Sequence, residues 1–499
     1  MTPHLPEIQK RGLGMSEILA PDICIVGGGA GGLSLAEGAA AFGLSVVLVE
    51  KGAIGGDRLA HAIPSHALLA ASRFAASLRA AQDFGIEIQE ASLDYAGVRA
   101  HVGATVAALA PNYAQERLEA LNVTVIRASG RFTRADTLAA GGATIKARHF
   151  VIATGAPAKP LAIPGLDLIR PLSYGSACAL ESPPRRLIVA GADPHGLALA
   201  QGLRRLGSEV VILAPEKIFA GEDDELVAPV RTEFAREGIA IHEHVRILKV
   251  EPQGEGLCAV IARAAPKPQT ETKTIEGSHL LIAAEGAPHV EGLGLKAARV
   301  RYDAAGIAVS RTLRTSNRRI YAIGAVARGA APAGTAEHQA SLALRQIRRG
   351  PLAPLLGLLA GRIWPGAIAK VFAVDPEIAV AGLSEAEARE RRLKIHVLRW
   401  PFAETDRARI EARPDGHVKL VTSARGRILG AGIVGPAAGE LINLCTLAIS
   451  KGMSAADLAS IMVPYPTLSE AARRAAMASW PSVGAAWTRF VPGLWHRLD

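Results

Sequence analysis

The sequence is poor in cysteine and in aromatic residues. Only four of its 499 residues are cysteine, and Phe, Trp and Tyr together make up 4%. No two cysteines have the C-x-x-C spacing of a metal site or a redox motif, and four scattered cysteines do not indicate a disulfide framework. This usage predicts a protein of a reducing cytoplasm, with each cysteine packed as a small buried hydrophobic residue.

Long apolar runs and clustered charge are also missing. The longest apolar run, 351–361, is far shorter than the ~18 residues that a membrane span needs. The N-terminal residues contain no apolar signal core. The net charge of +10 comes from 56 basic and 46 acidic residues that are scattered along the chain. With so few aromatic residues, this pattern favours an arginine-rich composition over a nucleic-acid-binding surface.

A nucleotide-binding pattern stands near the N-terminus. An apolar strand leads into a G-x-G-x-x-G motif formed by Gly27, Gly29 and Gly32. A helical stretch and a second strand follow, and that strand ends at Glu50. In this pattern the glycines form a tight turn, admit a pyrophosphate and let the helix pack close to the strand, while the acid binds a ribose hydroxyl. The sequence therefore predicts a dinucleotide site.

The rest of the chain alternates helical and strand patterns. Helices are expected over 65–82 and 97–120, and a second strand–helix–strand unit over 187–213. The polar stretch 264–277 predicts an exposed turn, and 367–477 mixes strands and helices. The patterns predict an α/β protein with two Rossmann-like dinucleotide-binding domains and a C-terminal α+β domain.

Several segments carry a family resemblance. They are VGGGAGG at 26–32, EKGAIGGDRL at 50–59, ATG at 153–155, RILGAGIVGPAAGELI at 427–442 and YPTLSEAARRAA at 465–476. In these segments the chain resembles the pyridine nucleotide-disulfide oxidoreductases, in particular the dihydrolipoamide dehydrogenase and mercuric reductase branch. The C-terminal segments resemble the dimerisation domain of that family, which implies a homodimer.

The resemblance implies a division of the chain into domains. An FAD-binding domain is expected at 1–160 and 290–350, an NAD(P)-binding-like domain at 161–289 and a dimerisation domain at 365–478. An aromatic, basic tail follows at 479–499 and holds three of the five tryptophans. Such a tail suits either the surface of a membrane or packing against the protein or a partner.

The resemblance also implies FAD as the cofactor. The residues expected to bind it are Gly27, Gly29, Gly32, Glu50, Lys51, Gly56, Asp57, Thr154, Gly155 and Gly324. The aspartate with which the family binds the ribityl chain is replaced by Ala325, a loss of ~1–3 kcal/mol of hydrogen bonding. We still expect FAD, because the rest of the set is present.

The chain departs from the family at the redox-active disulfide. Arg58 stands where the first cysteine is expected, and the second cysteine is absent, so the thiol chemistry of the family is lost. The lysine–glutamate pair that the family places near the flavin is replaced by His66 and Ala198. Arg58, His61 and His66 are then candidate catalytic residues around the flavin, and both histidines also suit a purely structural role.

Two further departures concern proton transfer and the nicotinamide. Tyr465 takes the place of the catalytic histidine of the family, and Glu470 is kept. A phenol with a pKa of ~10 is a poor general base but can donate a hydrogen bond; a dimer-interface tyrosine is the alternative. Asp193 in the second glycine motif and Ala214 at the next strand end argue against the use of NAD(P)H.

The function that follows is an FAD-dependent oxidoreductase without the disulfide relay. Its flavin would exchange electrons directly with a small molecule, a quinone or a protein partner. The alternative is a non-catalytic homologue that acts as a dimeric scaffold or sensor. A soluble transhydrogenase is a third hypothesis, which the altered second nucleotide site disfavours. We expect the protein in the cytoplasm, at the inner face of the membrane if the tail binds lipid.

Overall fold

The computed structural model describes residues 18–479, with gaps at 89–91, 158–160, 264–271, 285, 329–334 and 350–367. Contacts divide the chain into two compact units. Unit 1 consists of residues 1–62, 106–158 and 286–359. Unit 2 consists of residues 63–105, 159–285 and 360–499. The predicted tail, apart from residue 479, and the apolar run 351–361 lie outside the described residues.

Unit 1 is built around a parallel sheet of five buried strands. Their order is Ile320–Ala322, His149–Ile152, Ile23–Val26, Val46–Val49 and Val123–Ile126. The strands are rich in Val and Ile because a parallel sheet is covered on both faces. Ile23 and Ile25 pack toward the helices Ala30–Ala41 and Thr335–Arg349, whereas Cys24 and Val26 pack toward the opposite face.

Smaller elements complete unit 1. A four-stranded sheet covers the second face of the parallel sheet, in the order Ile18–Leu19, Ala143–Ile145, Thr137–Ala140 and Arg131–Arg134. Among the described residues of unit 1, the other elements are the π-helical turn Arg58–Ala62, the 3₁₀ turns Ala110–Tyr113 and Gly324–Val326, the helix Gln115–Ala120 and the hairpin Tyr302–Asp303 with Gly306–Ile307.

Unit 2 contains a second parallel sheet with its own covering elements. The strand order is Ala240–His242, Glu209–Leu213, Arg186–Ala190 and His279–Ile282. An antiparallel sheet of Val245–Gln253, Gly256–Arg263 and Thr272–Gly277 packs nearby. The helices are Ile63–Arg79, Tyr174–Cys178, Pro194–Arg205 and Asp224–Arg236, with 3₁₀ turns Ala80–Phe84 and Leu166–Leu168. The helix Tyr95–Leu109 begins in this unit.

The C-terminal part of unit 2 is an antiparallel sheet with helices. Its strand order is Ala369–Phe372, Glu377–Gly382, Ile428–Gly435, His417–Ser423 and Ile395–Pro401. Its helices are Glu385–Glu390, Asp406–Ile410, Ala438–Lys451, Ala455–Ser460 and Glu470–Met477, with a 3₁₀ turn at Phe402–Glu404. The predicted α/β class, with two dinucleotide-type sheets and an α+β region, is confirmed. None of the helices in the described part of the chain is long and apolar enough to cross a membrane.

Two elements differ from the prediction. The single helix expected over 97–120 is interrupted: an α-helix ends at Leu109, a 3₁₀ turn contains Pro111, and Ala114 is extended. Proline has no N–H for a continuing helix and restricts the residue before it. The exposed turn expected over 264–277 is wrong for its second half. Thr272–Gly277 pairs as an edge strand. Because most of its side chains are polar and exposed, the sequence lacks the apolar pattern that would predict a strand there.

A buried lysine joins two parts of unit 2. Only 4% of the Lys419 side chain is exposed, and its Nζ lies 2.6 Å from Asp223, 2.9 Å from Glu225 and 2.9 Å from Glu385. Arg399 donates two further hydrogen bonds to Glu225. These bonds from Arg399 and Lys419 outweigh partial burial and lower the pKa of the Glu225 carboxyl to about 2. We call this group the Lys419 cluster.

Replacing Lys419 with methionine should destabilise the protein by about 1.5–3 kcal/mol, because three partly exposed carboxylates lose the buried cation that they share. Urea denaturation at neutral pH measures the change. Lys249→Met is the matched control, since Lys249 makes a half-exposed ion pair with Glu251 at 2.7 Å. That variant should lose less than about 1 kcal/mol. Equal losses of unfolding free energy in the two variants would show that the Lys419 cluster stabilises the fold no more than an exposed ion pair does.

Stability should also depend on pH through Glu225. The usual pKa of this carboxyl is 4.5, and it falls to about 2 in the folded protein. Ionised Glu225 therefore stabilises the fold fully above pH 4.5, and this contribution is lost as the pH falls toward 2. The difference in unfolding free energy between wild type and Lys419→Met should shrink over that window. A difference that stays constant in denaturation experiments across these pH values would show that the cluster does not titrate as described.

Candidate functional site

The first glycine loop of unit 1 has three distinct geometries. Gly27 ends the strand Ile23–Val26 with φ +111°, and a Cβ there would collide with the carbonyl oxygen of Ala153. A Cβ on Gly32 would collide with the carbonyl oxygen of Gly27. Gly29, in contrast, has no atom within 4 Å of an added Cβ. Two of the glycines thus serve the fold, and the third borders open space.

This open space lies at the start of a helix. Gly29 is the N-cap of Ala30–Ala41, and no side chain caps it. The first N–H groups of a helix have no partner within the helix and carry a partial positive charge. The loop therefore has the geometry and the charge to bind an anion such as a pyrophosphate.

Glu50 stands at the carboxyl end of the neighbouring strand, beside this loop. Its Oε2 accepts a hydrogen bond from the N–H of Gly28 at 2.6 Å, and its Oε1 accepts one from the N–H of Gly52 at 2.6 Å. The carboxylate thus fixes the loop from one side. It also keeps a hydrogen-bond acceptor next to the open space at Gly29, where a ribose hydroxyl would require one.

The segment that follows Glu50 forms the other side of the open space at Gly29. The N–H of Gly55 donates to the carbonyl oxygen of Gly28 at 2.9 Å, and a Cβ on Gly56 would lie 3.2 Å from Cα of Gly29. Asp57 is exposed and lies 3.2 Å from Nδ1 of His61. Gly56 therefore borders the opening directly.

A histidine that the sequence did not single out completes this end of the sheet. Nε2 of His289 lies 3.0 Å from Nζ of Lys51, and its carbonyl oxygen accepts a bond from Thr154 Oγ1 at 2.9 Å. The N–H of His289 donates to the carbonyl of Gly155. Burial and the charge of Lys51 lower the pKa of His289, so the neutral ring accepts from Lys51. Since it lies 238 residues from Lys51, no local motif could have revealed it.

Gly324 and Arg58 are held by residues of one helix of unit 1. The N–H of Gly324 donates to Oε1 of buried Gln339 at 2.7 Å. Arg58, in the π-helical turn, donates to Glu337 at 2.5 Å. Although partial burial opposes the charge, the hydrogen bonds to Glu337 and Tyr113 raise the pKa of Arg58. The position expected to hold a thiol therefore holds a fixed positive charge.

The other candidate catalytic residues lie in unit 2. His66 is on the exposed side of Ile63–Arg79, and partial desolvation and Arg73 lower its pKa. Tyr465 is 72% exposed and donates to Asp406 at 3.0 Å, a bond that raises the pKa of the phenol. Glu470 begins the last described helix and accepts two bonds from Arg474. In this structure Tyr465 is a donor rather than a base.

A second group of polar residues surrounds the second glycine loop in unit 2. Nε2 of His195 lies 3.1 Å from Oγ of Ser65, which is fully buried. Tyr174 donates to Oδ2 of Asp193 at 2.8 Å. Among these residues the sequence singled out only Asp193. Ser65 lies 130 residues from its histidine partner, so the chain must fold before the group exists.

All four cysteines are free and buried. Burial raises the pKa of Cys178 to about 11 and that of Cys445 to about 12, and it raises that of Cys24 as well. These thiols are therefore protonated at neutral pH. Thiol–disulfide exchange requires a thiolate, so these three cysteines are poor nucleophiles.

The chain is similar to known proteins over most of its length. The model of the pyridine nucleotide-disulphide oxidoreductase family matches residues 21–340, and that of the dimerisation domain of the family matches residues 368–476. The dihydrolipoyl dehydrogenase of Thermus scotoductus is 33% identical over 465 residues, which cover 92% of this chain and 97% of that protein. The mercuric reductase of Streptomyces lividans is 31% identical over 475 residues, with coverage of 91% and 95%.

Solved structures share the fold. The crystal structure of LpdA from Mycobacterium tuberculosis has a TM-score of 0.81 at 24% identity and covers 92% of this chain and 99% of its own. The Cu(II) complex of the HOCl-induced flavoprotein disulfide reductase RclA from Escherichia coli has a TM-score of 0.75 at 21% identity, with coverage of 91% and 98%. The expected fold and family resemblance are confirmed.

In the first loop Gly32 is needed for packing, whereas Gly29 borders open space. An alanine substitution at each of the two positions separates these roles. Gly32→Ala should cost about 1–3 kcal/mol or more, because its methyl group would overlap a backbone carbonyl. Gly29→Ala should leave the stability nearly unchanged, because φ is −77° and the added Cβ meets open space. Thermal unfolding of both variants measures the effect. A comparable loss in Gly29→Ala would show that this glycine is also needed for packing.

Proposed function

Because the chain belongs to the pyridine nucleotide-disulphide oxidoreductase family, we propose that it is an FAD-dependent oxidoreductase that works without a redox-active disulfide. The matched dimerisation domain indicates a homodimer. The observation that carries the proposal is the combination of an open first glycine loop with a cysteine-free turn at residues 58–62.

The residues of unit 1 fit FAD. The opening at Gly29 and the uncapped helix start would hold the pyrophosphate, and Glu50 would hold the adenosine ribose. Gly56, Lys51 and the turn at Thr154 and Gly155 border the same end of the sheet. Bound FAD would supply a ring that accepts and returns electrons. The protein residues bind this group, orient it and set the charge around it.

The absence of a disulfide relay rests on the cysteines. Arg58 occupies the position of the first redox cysteine and is fixed by Glu337. Cys178 and Cys445 are buried thiols with a raised pKa, and neither lies in the turn. Electrons would therefore pass directly between the flavin and a small molecule, a quinone or a protein partner.

The candidate catalytic residues have distinct roles in this proposal. Arg58 supplies a permanent positive charge, which would favour the anionic form of a reduced flavin. His61 and His66 would exchange protons, and Tyr465 would donate a hydrogen bond. Glu470 would help to hold the segment of Tyr465. Association with a membrane surface through the tail remains part of the proposal, although residues 480–499 lie outside the described part of the chain.

The second candidate function is a non-catalytic scaffold or sensor. It is favoured by the loss of the lysine–glutamate pair of the family. His66 stands in place of the lysine, and the fully buried Ala198 stands in place of the glutamate. In this case a nucleotide in the first loop would have no redox role. The two candidates differ in whether the protein takes up FAD that accepts and releases electrons.

A reductive titration tests the main proposal. The purified protein should show a flavin absorption band, and titration with dithionite without oxygen should consume only the reducing equivalents that the flavin takes up. A redox-active disulfide would consume additional equivalents. A quinone added afterwards should restore the oxidised spectrum.

Two controls accompany this titration. Alkylation of accessible thiols should change neither the titration nor the reoxidation, because the cysteines take no part. A variant with all four cysteines replaced by alanine or serine, if it folds, should behave in the same way. Extra reducing equivalents that disappear on alkylation would overturn the proposal, and failure to take up FAD would leave the scaffold as the function.

A further inference from the structure

The second glycine loop, in unit 2, repeats the backbone of the first. Gly191 ends its strand with φ +111°, the same value as Gly27, and a Cβ there would collide with the carbonyl oxygen of Ala283. A Cβ on Gly196 would collide with the side chain of Ala283. The two glycines that the fold needs are therefore present in both loops.

The position that faces the ligand is different. Asp193 stands where the first loop has Gly29, and it is the N-cap of Pro194–Arg205. Its Oδ2 accepts a hydrogen bond from the N–H of His195 at 3.1 Å. A carboxylate thus occupies the helix start, the place that a pyrophosphate takes in a dinucleotide site.

The backbone donors of this loop are used or absent. The N–H of Asp193 donates to the carbonyl of Ala283 at 3.2 Å, and the N–H of His195 donates to Asp193. Pro194, between them, has no N–H. Three successive residues therefore offer no free backbone donor to an anion, and the carboxylate adds like-charge repulsion.

Neighbouring rings hold this arrangement in place. Tyr174 donates to Oδ2 of Asp193 at 2.8 Å, and its ring centroid lies 4.7 Å from that of His195. Burial and the charge of Asp193 raise the pKa of Tyr174, so the hydroxyl stays a donor at neutral pH. Tyr174, Asp193 and His195 form a closed cycle of contacts over the start of the helix.

The ribose-binding position has changed as well. Ala214 follows the strand Glu209–Leu213 as Glu50 follows Val46–Val49, and each donates its N–H to the next strand, to His242 and Ile126 respectively. Ala214 is fully buried and has no acceptor side chain for a ribose hydroxyl. The nicotinamide dinucleotide implied by the family therefore does not fit this loop.

We propose that the second glycine loop is closed by its own aspartate and binds neither NADH nor NADPH. The loop keeps the fold of unit 2 but has lost ligand binding. If the flavin is reduced, as the proposed function requires, its electrons come from a donor of another chemical class that needs no pyrophosphate site.

Calorimetric titration of the full-length protein with NADH and with NADPH tests this proposal. Wild type should bind neither with a Kd below about 1 mM. The triple variant Asp193→Gly, Pro194→Ala, Ala214→Glu should bind NADH at least about tenfold more tightly than wild type, because the new carboxylate suits a ribose hydroxyl and repels a 2′-phosphate. The same variant with Ala214→Gln is the matched control for the carboxylate and should gain less. A micromolar Kd for wild type would overturn the proposal.

The same sample separates this outcome from that of the flavin proposal. Nicotinamide binding by calorimetry does not require FAD, and the flavin band is recorded before the titration. A cooperative unfolding transition shows that the sample is folded. In the reverse experiment, Gly29→Asp should close the first loop and lower the FAD content, whereas retention of FAD at the wild-type level would contradict the role assigned to the aspartate.

Discussion

Both parallel sheets depend on strand–helix turns that are packed too tightly to admit a Cβ. At Gly32 and Gly196 there is no room for a Cβ, and at Gly27 and Gly191 the chain adopts the same positive φ. A helix can lie this close to its strand only where glycine permits it. This requirement is independent of any ligand, so it is met in both loops, whereas the space at Gly29 is open in the first loop and the equivalent position holds the Asp193 side chain in the second.

Much of the fold could be predicted because its signals are local. Parallel strands that are buried on both faces read as short apolar runs, and the glycine motifs mark where they turn into helices. The helix expected over 97–120 failed because a single proline outweighed the surrounding alanine-rich pattern. The edge strand Thr272–Gly277 was missed because only its pairing with Gly256–Arg263 makes it a strand. Domain boundaries and individual site roles stay predictions.

The candidate site was predictable only where its residues share a motif. The first loop, Glu50 and the absence of cysteine near Arg58 are visible in one short stretch. His289, Glu337 and Ser65 are not, because each meets its partner across more than a hundred residues. The role of Asp193 could be assigned only from the sequence and the fold together. Its position marked it as an obstacle to a ligand, and the fold added that Tyr174 and the helix make it a cap.

The Lys419 cluster has a consequence for how the chain can be divided. Asp223 and Glu225 belong to the region around the second glycine loop, whereas Lys419 lies within the matched dimerisation domain. Arg205 reaches Asp375 across the same boundary. Removal of the C-terminal domain would take Lys419 away from Asp223 and Glu225, and it would leave the buried guanidinium of Arg205 with Glu237 but without Asp375. Although the two regions are separate modules in sequence, we therefore expect them to unfold as one cooperative unit.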